Sequence, residues 1–253
     1  MNDKYLIVIA GPTASGKTAT AITIAKALRT VIISADSRQF YREIPIGTAA
    51  PTREELSEVE HYMIHNLSIE DRYDVADYEK DVLLLLKKLF LNHDAVVMTG
   101  GSGLFIDAVC NGLDSIPDIS EETRNRVNDL YEKGGVVALQ NELQHLDPEY
   151  YEIVDKQNPR RLQRAIEVCY QTGLPYSSFR KNNTKERDFK IIKLALLWER
   201  NELITRINKR VENMISDGLV EEARSVYHKR NLNSLNTVGY KEMFQYFDGD
   251  ISL

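Results

Sequence analysis

"YLIVIAGPTASGKT" (residues 5–18) decides the architecture. Its first half is an apolar run rich in Ile and Val that ends at Gly11, the composition of a strand buried in a parallel sheet. Its second half fits the phosphate-loop pattern G-x-x-x-x-G-K-[ST] at every fixed position. Gly11 and Gly16 let the backbone turn so that successive N–H groups converge on an anion. Lys17 adds a point charge, and the Thr18 hydroxyl suits a magnesium ion. "KTATAITIAKAL" (17–28) has helical composition and aims its N-terminus at the same point. Strand, loop and helix together predict a cradle for a di- or triphosphate. They leave open whose phosphates it holds.

Outward from this stretch, strands and helices alternate. "VIISADS" (31–37) reads as a second strand, 75–92 as an amphipathic helix, and "AVVMTGGSG" (95–103) as a buried strand running into glycines. This alternation predicts a parallel sheet with helices on both faces, whose ligands bind beyond the carboxyl ends of the strands. Segments 11–18, 34–39 and 99–103 therefore converge. The pattern changes near Pro117: helices are expected at 120–132, 136–146 and 158–171, the last ended by Gly173 and Pro175. Residues 176–190 are polar, basic and aperiodic. A strand resumes at 191–199, followed by helices near 200–217, 219–230 and 239–247. The expected fold is α/β: a P-loop NTPase-like parallel sheet core of 1–116 and 190–253, interrupted by a helical insertion at 117–189.

Composition narrows the function classes. A 253-residue chain with 43% hydrophobic and 28% charged residues can bury a sizeable core. The net charge of −6 gives no global pull toward nucleic acid, although a local basic patch would. No apolar run is long enough to span a membrane, and the N-terminus lacks the signal-peptide design, so a cytoplasmic protein is expected. Cys110 and Cys169 read as small buried hydrophobes, and no Cys/His spacing suggests zinc.

Several constellations carry chemistry. Asp36 and Ser37 stand at the end of the second strand, where a carboxylate beside a phosphate loop serves as a base or helps hold magnesium; a turn or helix cap is the plainer alternative. A P-loop kinase would end the strand 95–99 in a magnesium-binding Asp, whereas this chain offers hydroxyls at Thr99 and Ser102. "NPRRLQRAIEV" (158–168) sets Arg161 and Arg164 three apart on one helix face, and Arg180, Lys181, Lys185, Arg187 and Lys190 follow. This is either a solvated charged face or a clamp on a phosphate backbone, with Tyr176 and Phe179 for stacking. Arg206 and Arg210 are one turn apart, and "VGYKEM" (238–243) hints at a contact surface.

These residues resemble the bacterial tRNA dimethylallyltransferases. The matching stretches are "GPTASGKT", "ISADSRQFYREIPIGTAAPT", "GGSGLF", "NPRRLQRAIEV", "RINKRVENMISDGLVEEA" and "VGYKEM", in family order over essentially the whole chain. The resemblance implies that Gly11, Thr13, Ala14, Ser15, Gly16, Lys17 and Thr18 hold the pyrophosphate of dimethylallyl diphosphate, with magnesium at Thr18. It implies that Asp36 is the general base for an adenine N6, that Ser102 serves the reacting centre, and that Arg206, in preference to Arg210, neutralises the leaving group. Asp36, Ser37, Arg38, Gln39, Ser102, Arg124, Arg160, Arg161, Arg164, Gly239, Tyr240 and Lys241 are then expected at the tRNA anticodon stem-loop, in a monomeric enzyme. Ser102 stands where the family usually has Thr. His65 stands where it usually has an acid. The family pattern continues past "GDISL" (249–253) into a further basic helix. The alternatives are a prenyltransferase acting on free AMP or ADP, an ATP-dependent small-molecule kinase, and a non-catalytic RNA-binding module.

Overall fold

The computed structural model describes residues 3–180 and 184–253. They divide into two compact units, one formed by 1–111 with 186–253 and the other by 112–185. The change of pattern read near Pro117 falls inside the second unit, which begins at Gly112.

The first unit is built on five parallel strands: β1 (Tyr5–Ala10), β2 (Ile32–Ser34), β3 (His61–Tyr62), β4 (Ala95–Thr99) and β5 (Lys190–Ala195). Their order is β3-β2-β4-β1-β5, with Val8 opposite Met98 on one side and Lys193 on the other. The period-2 alternation of strands sorts the apolar side chains. Leu6, Val8, Ile33, Val96 and Met98 pack on one face with Tyr78, Val82 and Leu86. Ile9, Ile32 and Val97 pack on the other with Ala21, Ile22 and Ala25. The first set comes from α3 (Val75–Leu89), whose positions 78, 82, 86 and 89 form one buried stripe. The second comes from α1 (Lys17–Leu28). Helices therefore cover both faces, and each fully buried Leu or Ile contributes about 1.5–3 kcal/mol.

Local chemistry sets the helix limits. Asp74 and Asp77 form a reciprocal capping box at the start of α3. A third hydrophobic cluster closes over the C-terminal part, where α8 (Arg200–Ser216), α9 (Leu219–Val226) and α10 (Tyr240–Asp248) gather Leu219, Leu235, Tyr240 and Phe244 against Tyr41 and Ile44. The sequence did not announce α2 (Arg53–Glu58), β3 or α4 (Gly103–Asn111). Short elements carry too little periodicity to be read in isolation.

The second unit is helical. Its α5 (Glu121–Leu146) breaks at Gly135, whose φ of 61° and ψ of −158° split it at the point expected from the sequence. Next come α6 (Pro148–Ile153) and α7 (Pro159–Thr172), the latter capped by Asn158 and ended by left-handed Gly173. Val127, Leu139, Leu143, Leu162, Ala165 and Ile166 form its core. Cys110 and Cys169 are both buried free thiols.

Candidate active site

An open cleft of about 1760 Å³ is lined by the segments that follow β1, β2 and β4 and by one face of α8. The phosphate loop folds as its glycines require: Gly16 has φ 88°, and a Cβ at Gly11 would lie 2.8 Å from the Ser15 hydroxyl. Ala14 also adopts a left-handed φ of 58°, which is strained by about 1–2 kcal/mol for a residue with a Cβ. Lys17 donates to the carbonyls of Gly11 and Pro12 at 2.9 and 2.7 Å, closing the loop on itself. Thr13 and Thr18 line the cleft, whereas the Ser15 hydroxyl is buried within the loop without a hydrogen-bond partner.

Asp36 leaves β2 on a tight turn. Its Oδ1 accepts the Arg38 N–H at 3.0 Å, and Oδ2 stands beside Gly101, where a Cβ would come within 3.0 Å. The glycines after β4 are there for space. A Cβ at Gly100 would lie 2.2 Å from the backbone carbonyl of Ala35, so the ends of β2 and β4 meet only through glycine. Ser102 follows, with its hydroxyl paired to Ser37. Thr99, expected to offer a second hydroxyl, is instead buried and donates to the Ile9 carbonyl at 3.2 Å.

Both candidate arginines of α8 line the cleft, in different roles. Arg206 donates its Nε to the Ala14 carbonyl at 2.8 Å. Arg210 is the more deeply set. Burial pulls its pKa down, and Asp36 opposes that shift. Lys17 is lowered too, by burial first and then by the like charge of Arg210, with Asp36 again opposing. Lys17, Arg210 and Asp36 thus form one electrostatic group, two cations and a carboxylate, around space large enough for a charged ligand. On the same helix, Glu212 pairs with Lys209 at 3.2 Å.

Several expected RNA contacts are built into the fold. The Tyr240 side chain has 0% exposure, and its hydroxyl bonds to Glu222. It serves the core and is no contact surface; Glu222 in turn accepts the N–H groups of Ile46 and Gly47 at 2.8 Å, fixing the loop 45–51. Gly239 and Lys241, beside it, begin α10. Arg38 donates to the carbonyls of Asn233, Ser234 and Asn236, and Gln39 bridges Ser34 to Thr48 and Ala49. These are braces between distant segments, which no local signal announces. Arg187 is sunk against Glu79 at 2.8 Å and donates to the carbonyls of Ala108 and Val109, so it also leaves the basic patch. Lys190 pairs with Asp3.

In the second unit, Arg160 and Arg161 are exposed and Arg124 is half-buried. Arg164 is partly exposed, 3.6 Å from Glu167. Tyr176 packs edge-on against Tyr150 in the unit's own core, and the Arg180 guanidinium lies over the Tyr150 ring. Tyr176 is therefore committed to packing and not free to stack. Lys181 lies outside the described residues.

Magnesium fits this cleft in one manner. Among the described residues no cluster of three or more His, Cys, Asp or Glu forms a cage. Thr18 and Asp36 line the same cleft. Such a donor set suits an ion that takes most of its oxygens from a bound diphosphate and from water.

An IPP transferase family model matches residues 39–253. A tRNA dimethylallyltransferase from Phocaeicola vulgatus is 54% identical over 98% of this chain and 83% of that protein. One from Bacteroides fragilis is 51% identical over 100% of this chain and 84% of its own, so the likeness includes the phosphate loop. Among solved structures, the tRNA isopentenylpyrophosphate transferase of Bacillus halodurans aligns with TM-score 0.66 and 33% identity over 99% of this chain and 79% of that one. A eukaryotic dimethylallyltransferase acting on tRNA aligns with TM-score 0.78 over 98% of this chain and 64% of its own; at 22% identity it shows the shared fold. The chain belongs to the IPP transferase family.

Proposed function

We propose that this protein is a tRNA dimethylallyltransferase. It transfers a dimethylallyl group from dimethylallyl diphosphate to N6 of adenosine 37 in tRNAs that read codons beginning with U, and releases diphosphate. The observation that carries this reading is the grouping of Asp36 with Lys17 and Arg210 in one cleft: a base stands opposite a cationic cradle. The names of the relatives and the family membership point the same way.

The chemistry follows from that grouping. The bond between the allylic carbon and the diphosphate oxygen breaks as negative charge grows on the leaving group. Lys17, Arg206 and Arg210 hold that charge, together with the loop N–H groups. Magnesium, held by Thr18 and the diphosphate oxygens, would supply further charge neutralisation. An adenine N6 is a weak nucleophile. As the new carbon–nitrogen bond forms, Asp36 orients the amine and takes its proton on Oδ2, the oxygen not engaged by Arg38. Ser102, tied to Ser37, presents a hydroxyl at the same edge. An adenine in a stem-loop must leave its stack to reach the cleft. Arg124, Arg160, Arg161 and Arg164 of the helical unit hold the RNA backbone. No helix among the described residues is long and apolar enough to cross a membrane.

The test is transfer itself. Purified protein, dimethylallyl diphosphate, magnesium and a tRNA with adenosine 37 are incubated, and the digested tRNA is analysed by mass spectrometry. Prenylated adenosine at position 37 is expected. Unmodified tRNA alongside efficient modification of AMP would replace this reading with a free-nucleotide prenyltransferase.

A further inference from the structure

We infer that Trp198 is a positioning residue for the phosphate loop, and that it senses whether the loop is occupied. Trp198 is the chain's single tryptophan. It lies between β5 and α8, 183 residues from the loop in sequence, yet its Nε1–H donates to the Ser15 carbonyl at 2.9 Å. The Arg206 guanidinium lies 4.2 Å from the centre of the indole, and the same arginine donates Nε to the Ala14 carbonyl at 2.8 Å. Two consecutive loop carbonyls are thus held by one stacked Trp–Arg pair.

The consequence follows from peptide geometry. In a trans peptide the C=O of one residue and the N–H of the next point in opposite directions. Pinning the Ser15 carbonyl outward turns the Gly16 N–H inward, toward the anion, while pinning the Ala14 carbonyl keeps the Ser15 N–H on the Pro12 carbonyl at 3.4 Å, within the loop. This holds in place the left-handed φ of 58° at Ala14, which the alanine itself disfavours. Stacking on the indole also fixes the plane of Arg206, and a Cβ at Gly16 would lie 3.8 Å from its Nη2, so the remaining guanidinium N–H groups stay beside the loop. At 40% exposure, Trp198 buries too little surface to be explained as core. A free loop would have to be ordered by each incoming ligand; this one is ordered beforehand.

The inference rests on the reading of the loop as a diphosphate cradle. Two measurements separate them. Inorganic pyrophosphate with magnesium is titrated into the intact protein, followed in parallel by calorimetry and by tryptophan fluorescence excited where tyrosines do not absorb. Binding is expected by both, with the same saturation curve, because the anion draws on the arginine stacked against the indole. Calorimetric binding with silent fluorescence would overturn the role of Trp198 and leave the cradle standing. No binding by calorimetry would remove the cradle and the inference with it. In Trp198→Phe, which keeps a ring under Arg206 but loses the Nε1 donor, the KM for the diphosphate donor is expected to rise about fivefold, the worth of one hydrogen bond. The KM for tRNA should stay unchanged. A variant with lowered thermal stability and unaltered donor KM would reduce Trp198 to packing.

Discussion

Ser102 and Ser37 are joined twice across 65 residues of sequence. The Ser102 hydroxyl donates to the Ser37 hydroxyl at 3.0 Å and accepts the Ser37 N–H at 2.9 Å. The pair ties the glycine turn after β4 to the segment that carries Asp36. Replacing Ser102 by Ala removes both bonds. Prenyl transfer in S102A should fall by roughly 10-fold, because the segment that carries Asp36 loses about 1–2 kcal/mol of anchoring hydrogen bonds. S102T keeps the hydroxyl and should retain most of the rate. Single-turnover kinetics with saturating tRNA distinguishes the two.

Asp36→Asn keeps an oxygen for the Arg38 N–H and so preserves the turn. It removes the proton acceptor. The transfer rate should drop by about 10²–10⁴-fold, while tRNA binding in a filter assay stays within a factor of about two. A near-normal rate would remove Asp36 from the role of base.

Lys17 gives the pH dependence. Burial and the like charge of Arg210 lower its pKa, so it loses its proton at a lower pH than an ordinary lysine. The charged form is the one that attracts diphosphate. Affinity for pyrophosphate should therefore hold while pH stays below the lowered pKa and decline as pH rises through it. In Arg210→Met the like charge is gone, Lys17 moves back up, and the alkaline decline shifts to higher pH, although overall affinity is weaker. Calorimetric titrations across an alkaline series read both effects.

Gly100→Ala places a Cβ against the Ala35 backbone at 2.2 Å, a contact that no rotamer relieves. The strand ends must separate, so the variant should be destabilised by at least about 2 kcal/mol, read as a lower denaturation midpoint.

Arg161 and Arg164 test the helical unit. Replacing both by Gln should weaken tRNA binding and reduce the slope of log affinity against log salt by about two. Pyrophosphate binding should be unaffected. An unchanged salt slope would remove these two side chains from the phosphate contacts.

Much of the core was legible because its signals are local. The apolar run 5–10, the glycine spacing of 11–18 and the stripe of α3 each report on themselves. Gly135 ended one helix and began another, and the split was expected because a glycine pair interrupts a periodic pattern. Errors arose where a residue's chemistry is set by a partner far away. Tyr240 and Arg187 look like surface residues in sequence, but Glu222 and Glu79 draw them inward. Thr99 and Ser102 both looked available, and only the register of β4 against β1 gave Thr99 to the Ile9 carbonyl.

By itself, then, the sequence determined the α/β class, the phosphate loop, the position of Asp36 at a strand end and the likeness to a family. Those depend on periodicity and on residues adjacent in the chain. Tertiary structure alone decided that Arg210 lies within electrostatic reach of Asp36 and that Arg206 meets Ala14. It also decided which carbonyls hold Arg38 and why Trp198 matters. Each links residues more than 170 positions apart, fixed by how α8 and the loops around 233–236 pack beside the sheet, and such packing energies leave no mark in any short window of sequence.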